Sequence, residues 1–168
     1  MQEDGRILVA VFDKTIYVKP MGHATQENCL GLPDFIKAMF REGCNNVTFD
    51  LENCNAMDST FLGVVASAGM ACSNQQGKGV LVVNADQSAR QEFEMIGLTP
   101  VLAFRDEPCE PPPELELSHI DFCHLPNDER ERIKTIKEMH EELIELNERN
   151  RQNFQGFIDI LDEELQEG

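Results

Sequence analysis

Val47-Thr48-Phe49-Asp50-Leu51-Glu52-Asn53-Cys54-Asn55-Ala56-Met57-Asp58-Ser59-Thr60-Phe61-Leu62-Gly63-Val64 is the stretch whose reading decides the fold. Asn46–Leu51 is rich in β-branched and aromatic residues and predicts a strand. Glu52–Met57 is polar and short and predicts a loop. From Ser59 to Cys72 the residues are small and apolar, which predicts a buried helix. Asp58 and Ser59 both suit the N-cap position, because a short side-chain oxygen there accepts from a free first-turn N–H. That end of the helix also carries positive dipole potential, so an anion on Ser59 meets ready donors. Gly63, Ala66, Ala68 and Gly69 predict close approach of the helix to the sheet.

Upstream of this unit, Ile7–Phe12 and the alternating Thr15–Lys19 flank the turn Asp13-Lys14 and predict a β-hairpin ending at Pro20. Gly22–Thr25 reads as a loop. Phe35, Ile36, Met39 and Phe40 share one face of a helix over Pro33–Arg41, stopped by Gly43. On the downstream side, Gly79–Asn84 predicts a buried strand and Asp86–Ile96 a helix capped by Asp86 and ended by Gly97. Pro100–Phe104 predicts a last short strand. The alternation β-β-α-β-α-β-α-β predicts an α/β fold, a mixed sheet packed with α-helices.

The texture then changes. Glu107-Pro108-Cys109-Glu110-Pro111-Pro112-Pro113 reads as a semi-rigid linker, and Leu115–Phe122 as a short extended segment. From Asn127, a fair N-cap, the chain is helical in pattern. Ile133, Ile136, Met139, Leu143, Leu146, Phe154, Phe157, Ile158, Leu161 and Leu165 recur at steps of three and four, which predicts an amphipathic extension. The polar run 147–153 reads either as a polar layer in one long helix or as a bend between two. Three destinations for the apolar face remain open: its own domain, a second copy in a homodimer, or a different partner. In a dimer, Asn147 and Asn150 would fix register. The boundaries are 1–106 for the α/β domain, 107–126 for the linker and 127–168 for the helical extension. Because the predicted core elements precede Pro113, a chain ending there is expected to fold.

Charge narrows the partners. The chain has 14 basic and 31 acidic residues and a net charge of −17, which argues against nucleic acid and anionic membrane surfaces and favours a basic protein surface. No apolar run approaches the length of a membrane helix, and the acidic start lacks signal-peptide character, so a cytoplasmic location is expected. Six cysteines without C-x-x-C spacing predict reduced, mostly buried thiols. His23, His119, His124 and His140 have no partners at metal-ligand spacing, so neither a metal nor a cofactor is expected. No phosphate-binding glycine loop, nucleophile elbow or acid–base pair is present, which predicts a protein that is not an enzyme.

Met57-Asp58-Ser59-Thr60-Phe61-Leu62-Gly63 resembles the signature of the STAS domain, shared by sulfate transporters and anti-sigma factor antagonists. The resemblance takes in the strands on either side and Gly97-Leu98, across roughly residues 6–105. It departs at Phe61, where glycine is common. The resemblance implies a STAS-like fold and, as in bacterial members, an adaptor in a partner-switching pathway. It implies phosphorylation of Ser59 by a kinase of the anti-sigma type and dephosphorylation by a PPM-type phosphatase, with Thr60 the second candidate acceptor. It implies a partner-binding surface of Asp58, Ser59, Thr60 and Phe61. The alternative is a constitutive scaffold or oligomerisation subunit whose serine is never phosphorylated.

Overall fold

A computed structural model describes residues 5–73, 79–119 and 128–167. Seven strands and five helices follow in the order β1 (Arg6–Phe12), β2 (Thr15–Ala24), α1 (Leu32–Arg41), β3 (Asn46–Asp50), β4 (Cys54–Met57), α2 (Ser59–Ser73), β5 (Gly79–Val83), α3 (Gln87–Ile96), β6 (Ala103–Phe104), β7 (Ser118–His119), α4 (Glu129–Ile144) and α5 (Glu148–Glu167). The sheet runs β6-β5-β3-β2-β1-β7, with β4 pairing β2 off that line. β2, β3, β5 and β6 pair in parallel, while β1 is antiparallel to both β2 and β7. The mixed α/β architecture expected from the sequence is present, and β3 and β5 lie inside the sheet with a strand on each side.

Period-two alternation builds the buried face. Ile7, Val9, Ile16, Val18, Val47, Phe49, Val80 and Val82 are nearly inaccessible and meet the helices. Phe61 of α2 stands edge-on to Phe49, with ring centroids 6.0 Å apart. Asp86 caps α3 by accepting from the Ala89 N–H at 2.8 Å. Gly97 ends that helix in the left-handed region at φ 85°, as the sequence anticipates.

The structure departs from the sequence reading in several places. Of the expected strand Pro100–Phe104 only Ala103–Phe104 is strand, because Thr99–Val101 forms a 3-10 turn. β2 continues through Pro20 to Ala24. β3 partners it only as far as Val18, and β4 takes over from Gly22, so Pro20 sits in the gap between them. The supposed loop before Asp58 contains β4, which holds the entry to α2 against the end of β2. The proline-rich segment is fastened rather than free. Cys109 N–H donates to Asn84 Oδ1 at 2.9 Å, Asn84 Nδ2 donates to the Cys109 carbonyl at 2.8 Å, and β7 adds to the sheet edge at β1. Residues 120–127, which include Cys123, His124 and the expected cap Asn127, lie outside the described residues. The cap of α4 is Asp128, whose Oδ1 accepts from Arg130 N–H at 2.9 Å.

The extension is two helices, and its apolar face lies on its own domain. α4 packs on α2 and α5 packs back on α4. Met139 and Leu143 of α4 are 2 % and 0 % exposed and belong to the main core. Ile136 and Leu161 form a second cluster with Leu30. Asn147 caps α5 by accepting from Asn150 N–H at 2.8 Å. The Asn150 amide, 2 % exposed, donates to the carbonyls of Ile96 and Leu143 at 2.7 and 2.9 Å. Asn147 donates to Ile96 as well, at 3.2 Å. These two asparagines therefore satisfy the last carbonyl of α3 and tie the hairpin to the domain, as fits the first of the three destinations open to the apolar face.

Candidate functional site

The site forms where β4 delivers the chain into α2. Asp58 is the first fixed point. Its N–H donates to the Ala24 carbonyl at 3.0 Å, tying the turn to the end of β2. Its Oδ1 accepts from Phe61 N–H at 2.9 Å and its Oδ2 from Gln26 N–H at 2.8 Å. Asp58, not Ser59, is thus the N-cap of α2, and both carboxylate oxygens are occupied by backbone donors. Capping leaves the Ser59 hydroxyl without a local task.

That hydroxyl is held by the extension. Ser59 Oγ lies 2.8 Å from His140 Nε2, and His140 Nδ1 lies 2.7 Å from the Ile136 carbonyl oxygen one turn earlier on α4. A carbonyl can only accept, so Nδ1 carries the ring proton and Nε2 presents its lone pair. The Ser59 hydroxyl donates to it. His140 is 2 % exposed. Phe154 and Phe157 of α5 stand edge-on to its ring at centroid distances of 5.5 and 4.8 Å. Burial lowers the imidazole pKa from its ordinary value, opposed by the Ile136 hydrogen bond and the nearby Asp58 carboxylate. The ring is therefore neutral at pH 7.

The four residues expected at the partner-binding surface separate. Asp58 and Ser59 are partly exposed. Thr60 is 2 % and Phe61 0 % exposed, so neither side chain is at the surface. Both residues point inward in the first turn of α2, with Phe61 packed on Phe49 at the sheet–helix interface. Thr60 as a second acceptor meets the same obstacle. His140 had no role in the sequence reading. Among the described residues no group of three or more His, Cys, Asp or Glu side chains is placed to hold a metal, and no helix is long and apolar enough to cross a membrane.

The small residues of α2 also have other neighbours than expected. A Cβ added at Gly63 would overlap the Met139 carbonyl oxygen, and one at Gly69 would lie 2.9 Å from Val101 Cγ2. Gly63 therefore sets the close approach of α4, and with it the reach of His140 to Ser59, instead of close packing on the sheet.

The burial of His140 makes stability depend on pH. Because the folded pKa of His140 lies below the unfolded value near 6.5, the unfolded chain takes up the proton more readily. The contribution is present above about pH 6.5 and is lost as pH falls through the lowered folded value. Melting temperatures measured between pH 7.5 and 5 are expected to fall more steeply in the native protein than in His140→Gln. Parallel curves would assign the pH dependence to other groups. Glu92 and Glu142, raised chiefly by burial, act with the opposite sign and are common to both proteins.

No family model matches the chain, and no curated protein matches it. Solved structures do. SpoIIAA, described as an anti-sigma factor antagonist in its unphosphorylated form, superposes with a TM-score of 0.52 at 17 % identity, over 60 % of this chain and 89 % of that one. A crystal structure of a putative anti-sigma factor antagonist from Thermotoga maritima gives 0.52 and 17 %, over 59 % and 85 %. At such identity the likeness is one of fold: the chain carries the STAS fold found in anti-sigma factor antagonists, and the match stops at about three fifths of its length.

Proposed function

We propose that this STAS-fold chain is a regulatory protein-interaction adaptor, not an enzyme, in a bacterial, cytoplasmic partner-switching pathway controlled at Ser59. The observation that carries the reading is the placement of Ser59. It is the first residue of α2, directly after the capping Asp58, partly exposed, with a hydroxyl that capping does not use. The neighbours in fold are named as anti-sigma factor antagonists. An anti-sigma-type serine kinase is the proposed partner, with a PPM-type phosphatase resetting the site. A phosphate adds about −1.5 to −2 charge to a surface that already carries Asp58, and so changes what can dock there.

The test is phosphopeptide mass spectrometry on the protein from its native cells. Trypsin releases residues 42–78 as one fragment, because no Lys or Arg lies between Arg41 and Lys78. The expected result is a phosphate localised to Ser59. Ser59→Ala is expected to retain binding to the unphosphorylated adaptor's partner and Ser59→Asp to lose it. An unmodified fragment under every growth condition supports the second reading, a constitutive scaffold. The observation favouring that reading is the Ser59–His140 hydrogen bond itself, which gives the serine a structural task. Such a scaffold would self-associate through Phe157 and Ile160, which remain 40 % and 55 % exposed on α5, and light scattering on the full chain would then report a dimer.

A further inference from the structure

Three groups line up at the start of α2: Ser59 Oγ, His140 Nε2 at 2.8 Å, and the Ile136 carbonyl at 2.7 Å from His140 Nδ1. This is a nucleophile, a base and an orienting acceptor in sequence, each within hydrogen-bonding distance of the next. We infer that His140 is the general base for phosphoryl transfer to Ser59, supplied by the acceptor protein's own helical extension. The inference takes the electrophile's class from the phosphoacceptor reading; the dyad itself rests on the geometry.

The hydrogen bonds favour His140 over the adjacent carboxylate. Asp58 Oδ1 and Oδ2 each accept a backbone N–H, from Phe61 and Gln26, while the Ser59 hydroxyl is held by His140 Nε2. Its negative charge instead favours an imidazolium at His140. The Ile136 carbonyl fixes the tautomer, so no rearrangement is needed before the proton moves. Phe154 and Phe157 stand edge-on to the ring from α5, His140 is 2 % exposed, and Asp58 is the charged neighbour acting on it.

The step balances with a nucleoside triphosphate held by a partner kinase as the phosphoryl donor. A lone pair of Ser59 Oγ attacks the terminal phosphorus, the bond from that phosphorus to the bridging oxygen breaks, and nucleoside diphosphate leaves with the electron pair. The hydroxyl proton passes to His140 Nε2. The product is a phosphoserine facing an imidazolium, a charge-assisted pair, and the proton is later lost to solvent. A serine held this way is reactive before any kinase arrives, so the dyad is testable with a small reagent.

The probe is diisopropyl fluorophosphate on the full-length protein, in which Oγ displaces fluoride from phosphorus and the proton again goes to Nε2. The expected result is one adduct, mapped to Ser59 and absent from Ser59→Ala. His140→Gln keeps an acceptor for the hydroxyl but no basic nitrogen, and it is expected to react at least about 100-fold more slowly. The wild-type rate should rise with one ionisation centred below pH 6.5 and then level off. That profile is read on the unaltered protein, so it stands whether or not His140→Gln folds well; circular dichroism of the variant checks the fold. A purely structural His140 gives no such plateau. The inference is overturned by no adduct at Ser59, by equal rates in the folded variant, or by a rate that climbs without levelling through pH 9. A Ser59 phosphopeptide from native cells combined with no adduct would leave the acceptor reading in place and remove the base alone.

Discussion

A chain cut after Pro113 is expected to lose most of its stability. The sequence alone predicts the opposite, since every strand and helix of the expected core precedes that point. In the structure, Met139 and Leu143 are part of the same core as Val64, Val65 and Phe61. Removing a buried Met or Leu side chain costs about 2–5 kcal/mol each. Two such losses approach the whole net stability of a typical domain, about 5–15 kcal/mol. The cut also strips the cover from Leu62, Gly63 and Ala66 on α2, which are buried in the full chain. It further removes the amides of Asn147 and Asn150 from the Ile96 carbonyl. Urea unfolding of the two proteins is the measurement. The expected outcome is a midpoint lowered severalfold, with increased binding of a hydrophobic dye to the shortened chain. Equal midpoints would mean that the extension rests on the domain without contributing to its core.

The fold was legible because its signals are local. The alternation in Thr15–Val18, the apolar run Gly79–Val83, and the capping pair Asp86 and Gly97 each state their structure within a few residues. What escaped is non-local. β4 is only four residues, Cys54-Asn55-Ala56-Met57, and its strand character comes from pairing with β2, 30-odd residues away. The docking of α4 depends on Gly63, which reads as a generic small residue until its neighbour is known. A sequence signal for the site did exist. Ile133, Ile136, His140, Leu143, Asn147, Asn150, Phe154 and Leu161 follow one seam at steps of three, four or seven. Counting only the apolar members hides His140. A histidine on a buried seam must find polar partners for both ring nitrogens, and on this fold the Ser59 hydroxyl at the head of α2 is one of them. The nearly continuous apolar character of Ser59–Cys72 carried the same message, because a helix apolar on all sides needs cover on more than its sheet face. The proline-rich segment escaped for a different reason: its anchoring uses the Asn84 side chain and backbone polar groups of Cys109, which composition does not reveal.

The second large effect is expected at Gly63, where a single methyl group decides the placement of a helix. Replacing glycine by alanine inside a helix ordinarily stabilises it by about 0.5–1 kcal/mol, because alanine has less backbone freedom to lose. Gly156 of α5 is such a position. A Cβ there meets nothing within 4 Å, so Gly156→Ala is expected to raise the melting temperature by a few degrees. At Gly63 the Cβ overlaps the Met139 carbonyl oxygen and presses on the Met139 carbonyl carbon and Cβ, both at 2.8 Å. Backbone atoms in a helix cannot turn aside as a side chain can, so α4 must move as a body. Overpacking of this kind costs about 1–3 kcal/mol, or roughly 2–12 °C in a chain of this size, and outweighs the propensity gain. Since α4 carries both Met139 and His140, displacement also lengthens the Ser59–His140 hydrogen bond. The His140 ring resonances of Gly63→Ala are therefore expected to shift, and its ionisation to move toward that of an ordinary imidazole. Opposite signs for the two glycine substitutions, with the resonance shift confined to Gly63→Ala, would establish that α4 docks on α2 through this contact. If Gly63→Ala stabilises the protein as Gly156→Ala does, α4 does not sit against Gly63 in solution, and the hydrogen bond that depends on that contact falls with it.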